Sequence, residues 1–551
     1  MKRTWTALLL ALLLFAAGCS KGEGTTVLLP AGTGQPTPTD PPKLVILTDQ
    51  YTATTAMDAP VWQEIQRRCG VQLELVAVDG SATDVAEALL ASGKLPDIIS
   101  LQDRTACARL ADAGVLVDLR EVDNANLRQM QGEAWDCLGY GAADGPVYYL
   151  PIQPSRQHAL VPESGFQLQH RVVQELGYPV IRTLADYEVA LKTYLERHPE
   201  TNGQPTLGLT FCLDTQGMGL VNTVQSAAVR AAGGWGFDGE WWVDEETGRA
   251  IWSTCVPETR PYYAWLNALY HDGLIDPEAL TQTYQAYVDK LTQARVLGLT
   301  TFEWEYLVAN EALDLAGIGE YAYGMYPVTY SADLPYRDMA WCIPLSQGGR
   351  GVAATSSAGA AFLEAFADVD VQKLWFWGIE TQDYRLQGGV PTLEEDAWWD
   401  RNEVDYAERR GVGLYEFILP SYGVGARDED GLLIRPQDAS FVRYFLSDTQ
   451  LDVLDGYGVD TPADFYPQDF APRRSAGEVW PMDVEDAAYQ DILLQCRKLD
   501  QTYIAALIQA DPADFDALYQ EWQDKLQEAG AERLGDYQTG RIGKTNRDSQ
   551  G

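Results

Sequence analysis

From Lys43 onward the chain alternates short apolar runs with helix-period segments, and no other feature restricts its fold as strongly. Lys43–Thr48 is an apolar run suited to a buried strand. A helical segment around Trp62–Cys69 follows, then Val71–Val78, which alternates and is rich in β-branched residues. Asp84–Ser92 has a helical pattern, Ile98–Leu101 reads as a strand and Ala106–Ala113 as a helix. Strands separated by helices in this order imply a parallel sheet covered on both faces. Ser92-Gly93 ends a helix and Pro96 forbids its continuation, so the next strand delivers Leu101, Gln102 and Asp103 to the carboxyl edge of the sheet. Ligands of open α/β sheets collect at that edge.

The chain has 551 residues, more than one hydrophobic core can serve, because cores split beyond ~250–300 residues. Its 80 acidic residues outnumber 40 basic ones and are spread along the sequence, as on a solvated surface. A net charge of −40 argues against nucleic-acid partners, whose phosphates need clustered Lys and Arg. Cys69, Cys107, Cys137, Cys212, Cys255, Cys342 and Cys496 show no CxxC spacing, and read as small buried thiols. The four histidines, His158, His170, His198 and His271, share no metal-ligand spacing.

Before the folded body, Lys2 and Arg3 precede a short apolar stretch that ends Phe15-Ala16-Ala17-Gly18-Cys19. A charged start, an apolar core and small residues describe a secretory signal. Cysteine directly after Ala-Gly resembles a bacterial lipobox, with Ala16 where Leu is usual. That resemblance implies lipidation of Cys19 and cleavage after residue 18. Trp5–Gly18 is too short to cross a bilayer, which takes ~20 apolar residues. Residues 19–42 are rich in Gly, Thr and Pro, the composition of a semi-extended tether.

Further motifs carry a second resemblance. Ala91-Ser92-Gly93-Lys94-Leu95-Pro96-Asp97-Ile98-Ile99 is followed by Leu110-Ala111-Asp112-Ala113-Gly114-Val115-Leu116-Val117-Asp118-Leu119. Later come Thr183-Leu184-Ala185-Asp186-Tyr187, in which Thr183 and Asp186 make a capping-box pair, and His271-Asp272-Gly273-Leu274-Ile275-Asp276-Pro277-Glu278. Ala294–Leu299 looks like a returning strand. Gly378-Ile379-Glu380-Thr381-Gln382-Asp383-Tyr384 is close to a signature with Gly at the position of Thr381. Together these resemble the extracellular solute-binding lipoproteins of ABC importers, in the long lipoprotein branch of the carbohydrate-binding group. The resemblance touches most of the chain after Cys19 and fits least well over 332–370.

The resemblance implies a two-lobed, periplasmic-binding-protein-like α/β fold (type II) with a ligand cleft between the lobes. Lobe one is expected over 43–152 and 293–350, and lobe two over 153–292 and 351–551. Pro151 and Pro154 mark the first crossing. The function it implies is capture of a solute, an oligosaccharide by preference, and delivery to an ABC permease, by a monomer anchored to the outer face of the cytoplasmic membrane. No catalysis and no cofactor are expected. A sensor that reports to a membrane receptor and a secreted carbohydrate-active enzyme are the alternatives.

Saccharide faces are apolar C–H surfaces ringed by hydroxyls, so a cleft for them offers flat aromatic rings with carboxylates and amides. Among 16 Trp and 29 Tyr, position selects the candidates. Tyr51 follows the first strand and Asp103 the third. Trp235 sits in Gly233-Gly234-Trp235-Gly236, and Glu303 and Trp304 end the strand taken to return to lobe one. Trp235 and Trp304 would then lie on opposite sides of the solute. Trp241-Trp242 reads as packing before a hairpin turn. His198–Leu207, where some relatives hold calcium, has only Glu200 as a carboxylate, so a plain turn and no metal are expected. Gly543-Lys544-Thr545 lacks the earlier glycine of a phosphate loop, and reads as a frayed tail.

Overall fold

In the computed structural model, residues 41–546 are described apart from 51–55, 103, 133–134, 136–137, 141–143, 153–163, 215–218, 235–238, 245–246, 248, 335–349, 394–396, 398–399, 402–403, 424, 437–445 and 467–486. The chain opens with β1 (Lys43–Thr48), α1 (Pro60–Cys69), β2 (Gln72–Ala77), α2 (Ala82–Ser92), β3 (Ile98–Leu101) and α3 (Arg104–Asp112). β2 and β3 both pair with β1 in parallel, as the alternation predicts. α1 starts with Pro60 at its first turn and stops at Gly70, whose φ of 68° is left-handed. The Ser81 hydroxyl caps α2. The short β4 (Leu150–Pro151) closes this part of the chain before the first crossing.

Across that crossing a second sheet forms from β5 (Ser164–Gln169), β6 (Leu207–Thr210), β7 (Val296–Phe302) and β8 (Tyr323–Tyr326), in the order β8-β5-β7-β6. Between β5 and β6 runs α4 (Leu184–Arg197), begun by the expected capping box of Thr183 and Asp186. α5 (Arg260–His271) and α6 (Tyr284–Thr292) precede β7, and α7 (Glu303–Leu315) follows it directly. Between α4 and β6, His198–Leu207 folds as the plain turn expected: a hairpin reversing at Asn202 and Gly203, both in left-handed backbone. The chain then crosses back to β9 (Gly351–Ala354), which pairs antiparallel with β3 and β4 and completes a first sheet ordered β2-β1-β3-β9-β4.

This topology corrects the expected lobe boundaries. β7 is the centre of the second sheet, not a return to the first, and β9 belongs to the first sheet, not the second. Packing explains both placements. A Cβ at Gly298 in β7 would lie 2.2 Å from the Tyr187 hydroxyl of α4, so this strand fits only where that ring needs room. Gly351 in β9 lies against Cys107 and Tyr149 of the first core. The segment after β9, with α8 (Ser357–Phe366) and α9 (Val369–Trp377), stays in the first lobe, where Phe366 and Trp375 surround Trp62. After a third crossing beyond Pro436, the chain rejoins the second lobe, where Val453 packs in its core, and ends there with α10 (Ala487–Gln509), α11 (Phe515–Ala529) and α12 (Ala531–Asn546).

Asp500 of α10 fastens these last helices. Its buried carboxylate accepts hydrogen bonds from Trp252 Nε1 (2.8 Å), Trp522 Nε1 (3.1 Å), Thr254 Oγ1 (3.0 Å) and Gln225 Nε2 (2.8 Å). Burial pushes its pKa up to about 8 against the pull of those donors. Gly543–Thr545, expected as a frayed tail, lies in the last turns of α12. Cys69, Cys107, Cys212, Cys255 and Cys496 are thiols outside any disulfide, Cys69 and Cys255 only partly buried. Cys19, Cys137 and Cys342 lie outside the described residues.

Candidate functional site

The first crossing runs from β4, beside the carboxyl edge of β1 and β3, to the start of β5, and the second returns to β9 from the end of β8, next to the start of β5 and the end of β7. On the first sheet that edge is organised by Arg350, the residue before β9, which is only 7% exposed. Its Nη1 donates to Thr48 Oγ1 (3.1 Å) and to the Ser100 carbonyl (2.8 Å), and pairs with the Asp49 carboxylate. Its Nη2 donates to Gln50 Oε1 (3.2 Å) and Gln102 Oε1 (3.4 Å). The other Asp49 oxygen accepts from the Gln102 amide N–H at 3.0 Å. One planar guanidinium thus ties together the ends of β1, β3 and β9, as its fork of donors allows.

On the second sheet, Ser164 opens β5 opposite Phe302, the last residue of β7. Arg230 Nε donates to Ser164 Oγ (3.2 Å) from a short helix, Ser226–Ala231, that leads into the Gly233–Gly236 loop. The Tyr330 N–H, just before the second crossing, bonds the Ala231 carbonyl (2.9 Å) and holds that loop's base at the same edge. α7 starts here too. Glu305 in its first turn is buried, accepts from Asn222 Nδ2 (2.7 Å) and bonds Thr301 Oγ1. Burial raises its pKa although those donors act to lower it.

Tyr51, Asp103 and Trp235 lie outside the described residues. Glu303 and Trp304 are the first two residues of α7, and their side chains also lie outside the described set. What the structure gives is the setting of each. Asp49, Gln50 and Gln102, which flank Tyr51 and Asp103, meet at Arg350. Glu303 and Trp304 belong to the second lobe, because β7 does, so the expected placement of Trp304 on the first lobe is corrected. Gly234 makes room for Trp242: its Cβ would fall 1.9 Å from that ring. Trp241 packs edge-on against Trp252 at 5.2 Å, as a packing residue would.

Sequence reasoning missed Arg350 and Glu305. Arg350 falls in the stretch where the motifs fit least, and its partners are 248 or more residues away, beyond the reach of local pattern. Glu305 stands two residues beyond Glu303, and a signal existed in its i, i−4 spacing to Thr301. As a whole, the two edges offer amides, carboxylates and a fixed guanidinium, groups that orient hydroxyls. Among the described residues, no set of three His, Cys, Asp or Glu could hold a metal ion.

No protein-family model matches the sequence, and no curated protein matches it. Solved structures do. One, described as an HMO-binding, ABC-transporter-associated solute-binding protein from Bifidobacterium longum infantis ATCC 15697, is 14% identical with a TM-score of 0.62, over 92% of this chain and 99% of its own. An extracellular solute-binding protein from Bifidobacterium longum subsp. infantis is 12% identical with a TM-score of 0.63, covering 93% and 100%. The S. pneumoniae ABC-transporter substrate-binding protein FusA, in complex with kestose, is 15% identical with a TM-score of 0.54, covering 92% and 99%. Together with the two sheets and their three crossings, these likenesses establish the two-lobed α/β fold of solute-binding proteins for this chain.

Proposed function

We propose that this chain captures an oligosaccharide between its lobes and delivers it to the permease of an ABC importer. One observation carries the reading: the fold aligns over more than nine tenths of the chain with solute-binding proteins, among them one described as HMO-binding and one in complex with kestose. The amide and carboxylate cluster around Arg350 fits hydroxyl recognition. The chain acts as a binder and not as an enzyme; the similar structures named above are all described as binding proteins. It is a monomer, lipidated at Cys19 and held on the outer face of the cytoplasmic membrane, with residues 20–42 as its tether.

A thermal-shift screen over oligosaccharides tests the binding role, since a ligand that binds only the folded state raises Tm by mass action. At least one sugar is expected to do so without being shortened. Release of new reducing ends during incubation would replace the receptor with an enzyme. Anchoring is tested separately: Cys19→Ala should move the protein from the membrane fraction to the soluble one with its Tm unchanged, and a variant still on membranes in high salt would refute lipidation.

A further inference from the structure

Of the aromatic candidates, Trp304 starts α7 in the second lobe and Tyr51 and Trp235 lie outside the described residues, so a described flat apolar surface on the first lobe is still wanted. The structure offers one. Among the described residues Phe417 is the single exposed aromatic side chain, at 69%, while every other described Trp, Tyr and Phe is at least partly buried. Its neighbours Tyr415, Ile418 and Leu419 are all buried in the first core.

The backbone that carries Phe417 is fixed from both sides. Gly411 lies against the start of α1, where its Cβ would come within 2.7 Å of Trp62. Trp375 bonds this segment twice, through Gly413 N–H to its carbonyl (2.8 Å) and through its own Nε1 to the Leu414 carbonyl (2.8 Å). Tyr415 has a φ of 72°, a left-handed conformation costly for a bulky side chain, kept by packing of its ring 5.4 Å from Trp62. Glu416 pairs with the buried Arg435. Past Phe417, the Ile418 carbonyl accepts from Ser100 Oγ (2.7 Å), and Ser421 N–H donates to the Ile152 carbonyl (2.6 Å). Ser100 is also the residue whose carbonyl holds Arg350, and Ile152 is the last described residue before the first crossing. A strained, well-anchored turn therefore presents one unburied ring beside the polar edge of the first sheet.

We propose that Phe417 is the first lobe's stacking platform for the apolar face of a sugar ring. The proposal rests on the oligosaccharide reading above and adds to it the residue and the lobe. An exposed phenyl ring has no polar atom to satisfy, so it can take the C–H face of a pyranose while hydroxyls turn to Gln50, Gln102 and Asp49. Isolated apolar residues on a surface are common and need no role. What separates Phe417 from them is its anchoring on both sides: the left-handed Tyr415 packed on Trp62 before it, and Ile418 on Ser100 and Ser421 on Ile152 after it.

The full mature chain, with Phe417→Ala and Phe417→Trp, is titrated calorimetrically with kestose, maltotetraose, cellotetraose and mannotetraose. Phe417→Ala is expected to weaken the best-bound sugar by roughly tenfold or more, with the ligand-free Tm unchanged because the ring is exposed. Phe417→Trp should keep affinity within about threefold. Unchanged affinity in Phe417→Ala, with the wild type binding, would overturn the platform and leave the receptor reading intact. A Tm lowered by several degrees in Phe417→Ala, not restored by Trp, would make Phe417 a packing residue and also overturn it. No binding of any of these sugars by the wild type would overturn the oligosaccharide reading, and the platform with it.

Discussion

His170 is a buried imidazole with neither ring nitrogen hydrogen-bonded, and it lies against Gly324 of β8, whose missing Cβ leaves room for the ring. Burial lowers its pKa to about 4, from an unfolded value near 6.5. A depressed histidine stays neutral in the folded state while the unfolded chain takes up a proton, so its contribution is complete above about pH 6.5 and is lost as pH falls toward 4. That loss reaches about 2 kcal/mol by pH 5. Carboxylates titrate over the same range, so the informative quantity is a difference. In urea unfolding at pH 7.5 and pH 5, wild type should lose about 2 kcal/mol more than His170→Leu; equal losses would mean that the imidazole is protonated in place. At this scale the sequence was legible where chemistry is local. The pair Thr183 and Asp186 could be read directly, because both hydrogen bonds of a capping box lie within four residues. Arg350 could not, since it reaches Thr48, Gln50, Ser100 and Gln102 only when β9 returns to the first sheet.

At the scale of elements, Thr381 occupies the position where the resemblance expects glycine, and the structure gives the reason for that expectation. Its φ is 67°, in the left-handed region that a β-branched residue adopts only at a cost, and its N–H closes a turn onto the Tyr384 carbonyl at 2.8 Å. The side chain is exposed, so little contact is lost by removing it. Thr381→Gly should therefore stabilise the first lobe by about 0.5–1 kcal/mol, relief of strain outweighing the added freedom of the unfolded chain. A lower unfolding midpoint in urea would contradict this. The first six elements were readable because turn residues such as Gly70, Gly93 and Pro96 bound each apolar run. β7 was recognised as a strand but given to the wrong sheet. A run such as Val-Leu-Gly-Leu states that both faces are buried and is silent on the partner. Its neighbours were fixed by a contact between Gly298 and Tyr187, more than 100 residues apart, that no window of sequence contains.

For the whole molecule, two sheets are built from interleaved parts of one chain that crosses between them three times. Two lobes joined by a few chain crossings are suited to hinge closure around a ligand. Length implied more than one core and the alternation of elements an α/β sheet, while the two-lobed arrangement came from the resemblance and the boundaries depended on non-local pairing. The central claim is that solute binds between the lobes and draws them together. Small-angle X-ray scattering of the mature chain, titrated with the oligosaccharide that gives the largest thermal shift, tests this most directly. The account predicts a radius of gyration that falls saturably as the sugar is added. A sugar bound to saturation with an unchanged radius would place its site on one lobe alone and contradict capture in the cleft.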